Sequence, residues 1–526
     1  MTDFIDLNSS GKALTLASAD VCVVGAGAAG LFLADRLASR GRSVALLEAG
    51  DRVCADGASI GIEPVFSGRP YRGALEGRAF GWGGTTSLWG GVLVPHSRLD
   101  MREKRNPMDR VWGSIARTVQ DHSPSVYSAL GLGSQPDFFS YPSRALGKTA
   151  LDLKKRGWET IAAEFLPFQR RNLTYLLARK ADRRGKISVY LNTVASAWEF
   201  KPAGRGRGAL VSIGALSTSG RRLRLSAKSH VITAGTIESA RMLLEMDRST
   251  QGRLFPRRAA IGRYLSDHLS CAIAQVEKPD LELAARIFGP RFARGRMRNF
   301  RFIPSHPPPG TPRHFTYFFF QNENPGFSLA RKVLFGAQKG SGTRISLSEM
   351  AQGVAGLAAL AGHRYLRSSL YIPPATPAFL QMDIEQVPDG KNRVSLGEKK
   401  DRYGRPVARV QWEIRERDLL AIRRVTAQSL QRWPGRAAGL PALKPLPPSV
   451  EGAKPYDIYH PVGTCRMGED PEAVVGMDLR VRGTQNLFLL ATGVLPSAGT
   501  ANPTFSMLCL GDDLADRING DLESHA

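Results

Sequence analysis

Long apolar runs are missing from this 526-residue chain. The nearest approach, Met350 to Gly362, has thirteen residues, short of the roughly 20 that a membrane-spanning helix needs. Cysteine is scarce. Cys22, Cys54, Cys271, Cys465 and Cys509 are widely spaced, odd in number and without a C-x-x-C pair. That excludes a disulfide scaffold, a zinc ribbon and a thiol-redox pair; no metal site is expected, and a reducing cytoplasm fits best. The opening "MTDFIDLNSSGKALTLASAD" has no basic segment and no long apolar segment, so no secretory leader is expected. Acidic residues are outnumbered, 47 against 72 basic ones, for a net charge of +25. The basic residues are scattered rather than gathered in one stripe, so no nucleic-acid partner is expected. What remains is an ordinary globular composition, long enough for two domains or for one large α/β unit with an insert.

The chain opens with a β-α-β pattern. "DVCVVG" (20–25) reads as a buried strand, "AGLFLADRLASRG" as a helix ended by Gly41, and "SVALLEAG" as a second strand. Residues 112–185 read as largely helical. Strand signals follow at 187–200, 209–217 and 230–235. From about 268 to 415, "LSCAIAQVE", "NFRFIP", "HFTYFFFQ", "FLQMDIEQ", "NRVSL" and "VARVQWEI" suggest a single antiparallel sheet covered on one side. A helical insert interrupts them at about 325–375. Ser346 and Glu349 form a capping box ahead of Met350, Val354, Leu357 and Leu360. Lys332, Lys339, Arg344, Arg364 and Arg367 surround it. Such a helix packs on its own domain or rests on a membrane surface. "LPALKPLPPSVEGAKP" (440–455) is a Pro-rich connector to a final α/β stretch, and no internal repeat is present.

The strongest motif is "VVGAGAAG". Gly25, Gly27 and Gly30 stand in a G-x-G-x-x-G that follows a strand and opens a helix. Gly25 allows the tight turn, Gly27 lets the backbone approach a pyrophosphate, and Gly30 permits close helix–strand packing. Glu48 ends the second strand 23 residues beyond Gly25, in place to meet a ribose hydroxyl. There is one such fingerprint, so a separate NAD(P)H domain is not expected. Small residues end two later strands, "HVITAGTIESARMLL" and "NLFLLATG". "GRAFGWGGTTSLWGG" (77–91) puts an Arg in a glycine-rich loop where a long cofactor threads. FAD fits these features better than NAD.

Several segments in fixed order then resemble the glucose–methanol–choline (GMC) oxidoreductases. They are "VVGAGAAG…LLEAG", "GRAFGWGGTTSLWGG", "VITAGTIESARMLL", "IGRYLSDH", "EQVPDGKNRVSL…DRYGRP", "YHPVGTCRMG" and "GVLPSAGTANPTFSMLCLGDDLADRI". The likeness is nearer the gluconate/fructose dehydrogenase and pyranose oxidase branch than glucose oxidase, and it is weak in the middle of the chain. It implies an α/β fold: a Rossmann-like FAD-binding domain and a substrate domain of antiparallel sheet plus helices. The expected division gives 1–110, 187–267 and 450–526 to FAD, and 111–186 and 268–449 to the substrate.

The resemblance also implies hydride transfer from an alcohol carbon to the flavin. His460 would act as general base and Asn502 as its polar partner. A neutral imidazole suits a base near neutral pH, and an amide N–H can steady a developing alkoxide. Asn502 before Pro503 is also a good helix N-cap, and that helix start would aim its positive end at the flavin. Further cofactor contacts are expected at Arg78, Gly83, Gly84, Thr85, Trp89, Val194, Ala234, Gly235, Asp267, Gly493, Pro503 and Thr504, with Asp267 and His268 matching the family's "DH". Arg78 has two readings, a phosphate contact or an acidic partner. Leu88 stands where some relatives attach the flavin through His, so FAD is expected to be non-covalent. Ala491 replaces an Asp that many relatives carry, with backbone amides as the substitute contact. The expected substrate is a sugar, glycoside or polyol-like alcohol. A hydrophobic alcohol is the alternative, from "HFTYFFFQ" and the apolar insert, and a non-redox FAD-containing lyase is the other. The electron acceptor stays open among oxygen, a quinone and a redox protein.

Overall fold

The computed structural model describes residues 2–9, 11, 13–101, 107–178, 184–204, 207–340, 342–447 and 452–524. Two large sheets and one small one organise it. The first has eight strands. Its centre is Leu14–Val24, paired in parallel with Val44–Leu47 on one side and Arg222–Ile232 on the other. The last four residues of Leu14–Val24 are all buried, whereas its first half alternates. That is the signature of a strand that becomes covered on both faces. Ile187–Leu191 and Thr2–Asp6 extend one edge in parallel. Arg207–Leu216 and Val194–Ala203 extend the other as an antiparallel hairpin, and Leu487–Leu489 also pairs with Arg222–Ile232. This sheet therefore draws on the start, the middle and the end of the sequence.

The second sheet has nine strands, all antiparallel. In order across it run Leu443–Pro445, His268–Val276, Ala378–Glu385, His314–Phe320, Arg296–Pro304, Trp158–Phe165 and Val92–Leu93. Arg291–Ala293 and Tyr456–Asp457 add to its sides. Two expectations need correction. The region read as largely helical contains the strand Trp158–Phe165, which pairs with Arg296–Pro304 over seven positions. Its "WETIAAEF" has no alternation of its own, so only the partner strand makes it extended. The strands read at "NRVSL" and "VARVQWEI" do not join the second sheet either. Arg393–Lys400 and Pro406–Gln411 form a hairpin that pairs with Val65–Phe66 as a separate three-stranded sheet. The notional boundary at 449/450 falls outside the described residues.

The opening helix, Ala28–Ser39, is followed by Gly41 at φ +89°, as the sequence indicated. It lies against the closing helix, Pro503–Glu523. Arg36 Nε donates to Asp512 Oδ1 at 2.7 Å, and Arg42 Nε to Asn519 Oδ1 at 2.7 Å. Gly511 lets the closing helix approach Leu490 and Phe32 closely. This packing holds the start of the closing helix, with Asn502 and Pro503, beside the glycine loop of the opening unit.

Candidate active site

A long cavity runs past the carboxyl ends of the central strands of the first sheet. One end is walled by Glu48 and Thr193 to Ala195. Its middle passes Gly25, Gly27 and Ala234 to Thr236. The other end is closed by Tyr459, His460, Pro461, Pro503 and Thr504. Gly25 sits at φ +113°, a left-handed backbone that only glycine adopts without strain. A Cβ on Gly30 would stand 1.8 Å from the Gly25 carbonyl, whereas one on Gly27 would meet nothing within 4 Å. Gly30 is thus needed for packing, and Gly27 faces open space. The helix start at Gly27 has no side-chain cap, so its first-turn amides stay available to an anion.

Glu48 is buried and already engaged. Its Oε2 accepts from Ala26 N at 2.7 Å, and its Oε1 accepts from Gly50 N and Gly81 N at 3.0 and 2.8 Å. Burial raises its pKa, and these amides pull against that. The carboxylate holds the glycine loop and the 77–91 loop together, and it retains acceptor capacity on Oε2 for a further donor.

The far end of the cavity carries a hydrogen-bond chain. His268 Nε2 lies 2.9 Å from the Gly499 carbonyl, His268 Nδ1 lies 3.1 Å from His460 Nδ1, and His460 Nε2 lies 3.0 Å from Asn502 Nδ2. A carbonyl can only accept, so His268 must carry its proton on Nε2. Its Nδ1 is then the acceptor, and His460 must donate from Nδ1. The lone pair of His460 is thereby placed on Nε2, where the Asn502 amide N–H meets it. Burial lowers the pKa of both rings. His268 is pushed down to about 4, and His460, with the charges of His268, Arg301 and His96 adding to burial, lies well below the usual histidine range. His460 keeps some accessible surface because it lines the cavity, but protein atoms surround it closely enough for desolvation to dominate.

The backbone around His460 is fixed with equal care. Tyr459 adopts φ +65°, uncommon for a residue with a side chain, and its hydroxyl is anchored by Arg72 and Glu76. His460 N donates to Asp267 Oδ1 at 2.9 Å, and that oxygen also accepts from His268 N at 2.7 Å. Tyr71 OH donates to the other oxygen of Asp267. Burial pushes the Asp267 carboxyl up to about 8. Thr236 and Thr492 both donate to the Pro461 carbonyl at 2.8 Å.

Several expected contacts fall elsewhere. Arg78 takes its acidic partner: its Nη1 lies 3.1 Å from Glu238 Oε1, although it still lines the cavity. Trp89 does not border the cavity; its indole N–H donates to the Arg171 carbonyl. Asp267, Gly83, Gly493 and Asn502, the last also expected at the cofactor, are likewise off the lining. Asp267 acts through the His460 backbone, and the Gly493 carbonyl accepts from Cys465 N. Gly84, Thr85, Val194, Ala234, Gly235, Pro503 and Thr504 do line it, as do Ala491 and Thr492. Asn502 stands at the N-cap of Pro503–Glu523, but its side chain makes no cap bond and turns to His460 instead. Its buried Oδ1 has no partner among the described residues.

Sequence reasoning missed the wall opposite His460. His268 and Ser270 share one face of their strand, and the register sets Glu385 and Asp383 beside them. Phe315 and Tyr317 line up with Asp383 and Gln381 on the next strand. Arg301 is buried over the Phe315 ring at 4.1 Å, with Nε and Nη1 unpartnered. Burial raises Asp383 to about 6, against the pull of Arg301 and Ser270. Phe318, by contrast, faces away, stacked on Phe288 at 4.5 Å and set against Trp433. The apolar half of "HFTYFFFQ" therefore builds core, and the half facing the site is mixed with charge.

Comparison with known proteins agrees with this layout. Residues 388–511 match the family described as GMC oxidoreductase, and residues 20–73 match FAD dependent oxidoreductase. Two separate segments of the chain, near its start and near its end, are thus similar to GMC and FAD-dependent oxidoreductases. Among the relatives, an alcohol dehydrogenase [acceptor] of Pseudomonas putida is 39% identical over 61 residues, 12% of this chain and 11% of that protein. A C-glycoside 3-oxidase of Arthrobacter globiformis is 32% identical over 129 residues, 24% of this chain and 23% of that one. Sequence similarity thus spans less than a quarter of either relative. The fold likeness runs further: the solved pyridoxine 4-oxidase from Mesorbium loti superimposes with a TM-score of 0.55 at 17% identity, covering 95% of this chain and 98% of the other. The GMC cofactor, FAD, fits the cavity on the chain's own features. These are the uncapped helix start, the open space before Gly27, the acceptor left on Glu48, and an elongated lining from Val194 to Pro503.

Proposed function

We propose that the chain oxidises an alcohol of the sugar, glycoside or polyol kind to its carbonyl, with His460 Nε2 as general base. The observation that carries this reading is the fixed tautomer. The chain from Gly499 through His268 leaves the basic lone pair on the nitrogen that meets Asn502 at the cavity's end. FAD bound in the cavity supplies the hydride acceptor. His460 Nε2 takes the substrate O–H proton, and burial keeps that nitrogen neutral and free to do so. The Asn502 N–H is then released to donate to the developing alkoxide. Glu48, Gly27 and the helix start hold the cofactor, and residues 1–110, 187–267 and 450–526 form its domain. The remaining 111–186 and 268–449 form the substrate side.

The polar wall supports a hydroxylated substrate over a hydrophobic one. Ser270, Asp383 and Gln381 bond one another on the face that carries His268, and Arg301 beside them keeps Nε and Nη1 buried without partners among the described residues, a cost that a hydroxylated ligand reaching this face would relieve. The names of the relatives support alcohol oxidation as the class of reaction. The test is anaerobic mixing with a panel of sugars, polyols and apolar alcohols while the flavin absorption band is followed. A sugar or polyol should bleach it. His460→Ala should keep bound flavin and lose bleaching by about 10²–10⁴-fold, the usual worth of a general base. Bleaching at the wild-type rate in that variant would end the base assignment, and conversion of substrate without any bleaching would favour a lyase.

A further inference from the structure

The helical insert leaves an apolar face with nothing on it. Pro325–Lys339 and Leu347–Leu366 form an antiparallel hairpin. The two helices meet through glycine: a Cβ on Gly326 would lie 2.3 Å from the Gly356 backbone, and one on Gly353 would lie 2.5 Å from Leu329. The capping box read in the sequence forms, with Glu349 N donating to Ser346 Oγ and Ser346 N to Glu349 Oε2. Gly353 and Gly356 are the buried residues of the second helix, so its bulk is turned outward. Leu347 is 85% exposed, Val354 62% and Leu366 87%, with Met350 and Leu357 also exposed. From Met350 to Gly362 there is no charge at all.

Charge is arranged around that face rather than on it. Arg331, Lys332, Lys339, Arg344, Arg364 and Arg367 are all exposed, against the single acid Glu349 in residues 325–372. Only Lys332 has an acidic partner among the described residues, Glu349 at 2.7 Å. An amphipathic helix with an uncharged outer face and a basic border is the form that lies in the interface of an anionic bilayer. Among the described residues, no helix is long and apolar enough to cross one. The hairpin is also tied to the cofactor cavity. Gln338 Nε2 donates to the Thr86 and Trp89 carbonyls at 2.9 Å, within the glycine-rich 77–91 loop, and Asn172 donates to the Gln338 carbonyl.

We infer that this hairpin seats the protein on an anionic membrane surface, with the outward face of Leu347–Leu366 in the headgroup layer and the basic residues on the lipid charges. The seat lies next to the loop that borders the flavin cavity. It stands independently of the proposed reaction. The test floats the FAD-loaded protein with vesicles of phosphatidylcholine alone and of phosphatidylcholine with phosphatidylglycerol. Binding should be at least tenfold tighter on the anionic vesicles, since each basic residue at such a surface contributes roughly fivefold. Leu347→Glu with Val354→Glu should abolish flotation. Arg364→Glu with Arg367→Glu should remove the preference for phosphatidylglycerol. Both variants should keep their flavin spectrum and their reduction by soluble substrate. Absence of flotation in the unaltered protein would overturn the inference, as would flotation unchanged in the first variant. A self-association that Leu347→Glu with Val354→Glu dissolves, without vesicle binding, would also overturn it and assign the face to a second copy.

Discussion

Replacing His268 by Leu tests the tautomer directly. In the intact chain His460 Nδ1–H has an acceptor in His268 Nδ1, and the Gly499 carbonyl has a donor in His268 Nε2–H. Leucine removes both. His460 then has two options. It can keep its proton on Nδ1, buried and unsatisfied, at a cost of about 1–3 kcal/mol. Or it can move the proton to Nε2, which restores a partner only by spending the lone pair the reaction needs. Either way the reactive tautomer is disfavoured by about 1–3 kcal/mol, which corresponds to a loss of roughly 5- to 150-fold in the rate of flavin reduction. His268→Gln offers an acceptor oxygen and a donor NH2 on one group, and it should recover most of that loss. The assay is stopped-flow bleaching under anaerobic conditions. KM should change less than the rate constant, and the flavin spectrum should be intact in both variants. A His268→Leu protein that holds FAD and is reduced at the wild-type rate would refute the assignment, and so would equal losses in the Leu and Gln variants.

Two further outcomes follow from the same site. Because burial holds His460 well below the ordinary histidine pKa and His268 at about 4, the base is unprotonated throughout the neutral range. The acid limb that belongs to His460 should lie well below the ordinary histidine value of roughly 6.5; a limb centred near 6.5 in a pH–rate profile would contradict the buried, neutral ring. For stability the sign is that of a depressed folded pKa: the contribution is full above the unfolded value and is lost as pH falls toward 4, measurable as a falling unfolding midpoint. Leu88 offers no nucleophile to the flavin, so acid precipitation should leave the colour in the supernatant; a yellow pellet would show a covalent link.

Much of this was legible along the chain because it depends on local pattern. The strand–glycine–helix unit, Glu48 at the end of the next strand, and Asn502 before Pro503 are each read within a few dozen residues. The contacts of His268 were not. It lies 192 residues from His460 in sequence, and the two rings meet through the loop at Tyr459, with φ +65°, and the shared anchor on Asp267. Nothing in "YHPVGT" announces a left-handed tyrosine. The strand Trp158–Phe165 was hidden for a related reason: its alanines and glutamates favour helix, and the seven-position register with Arg296–Pro304 overrides that preference. "HFTYFFFQ" was legible as a strand, but not which aromatic faced which way, because side-chain direction alternates and the register decides it. The same dependence on register concealed Arg301 and Asp383.

The relay behind His460 stops at a peptide carbonyl. Gly499 O can receive a hydrogen bond but cannot carry a proton onward, and His268 has no other ring nitrogen to offer. On the proposed reaction, a proton captured from substrate therefore has no rear exit along this chain of groups. It must leave from the face where it arrived, after the product has vacated that end of the cavity. Resetting the imidazole for the next cycle is thus coupled to emptying the pocket, and the architecture that aims the base also times its return.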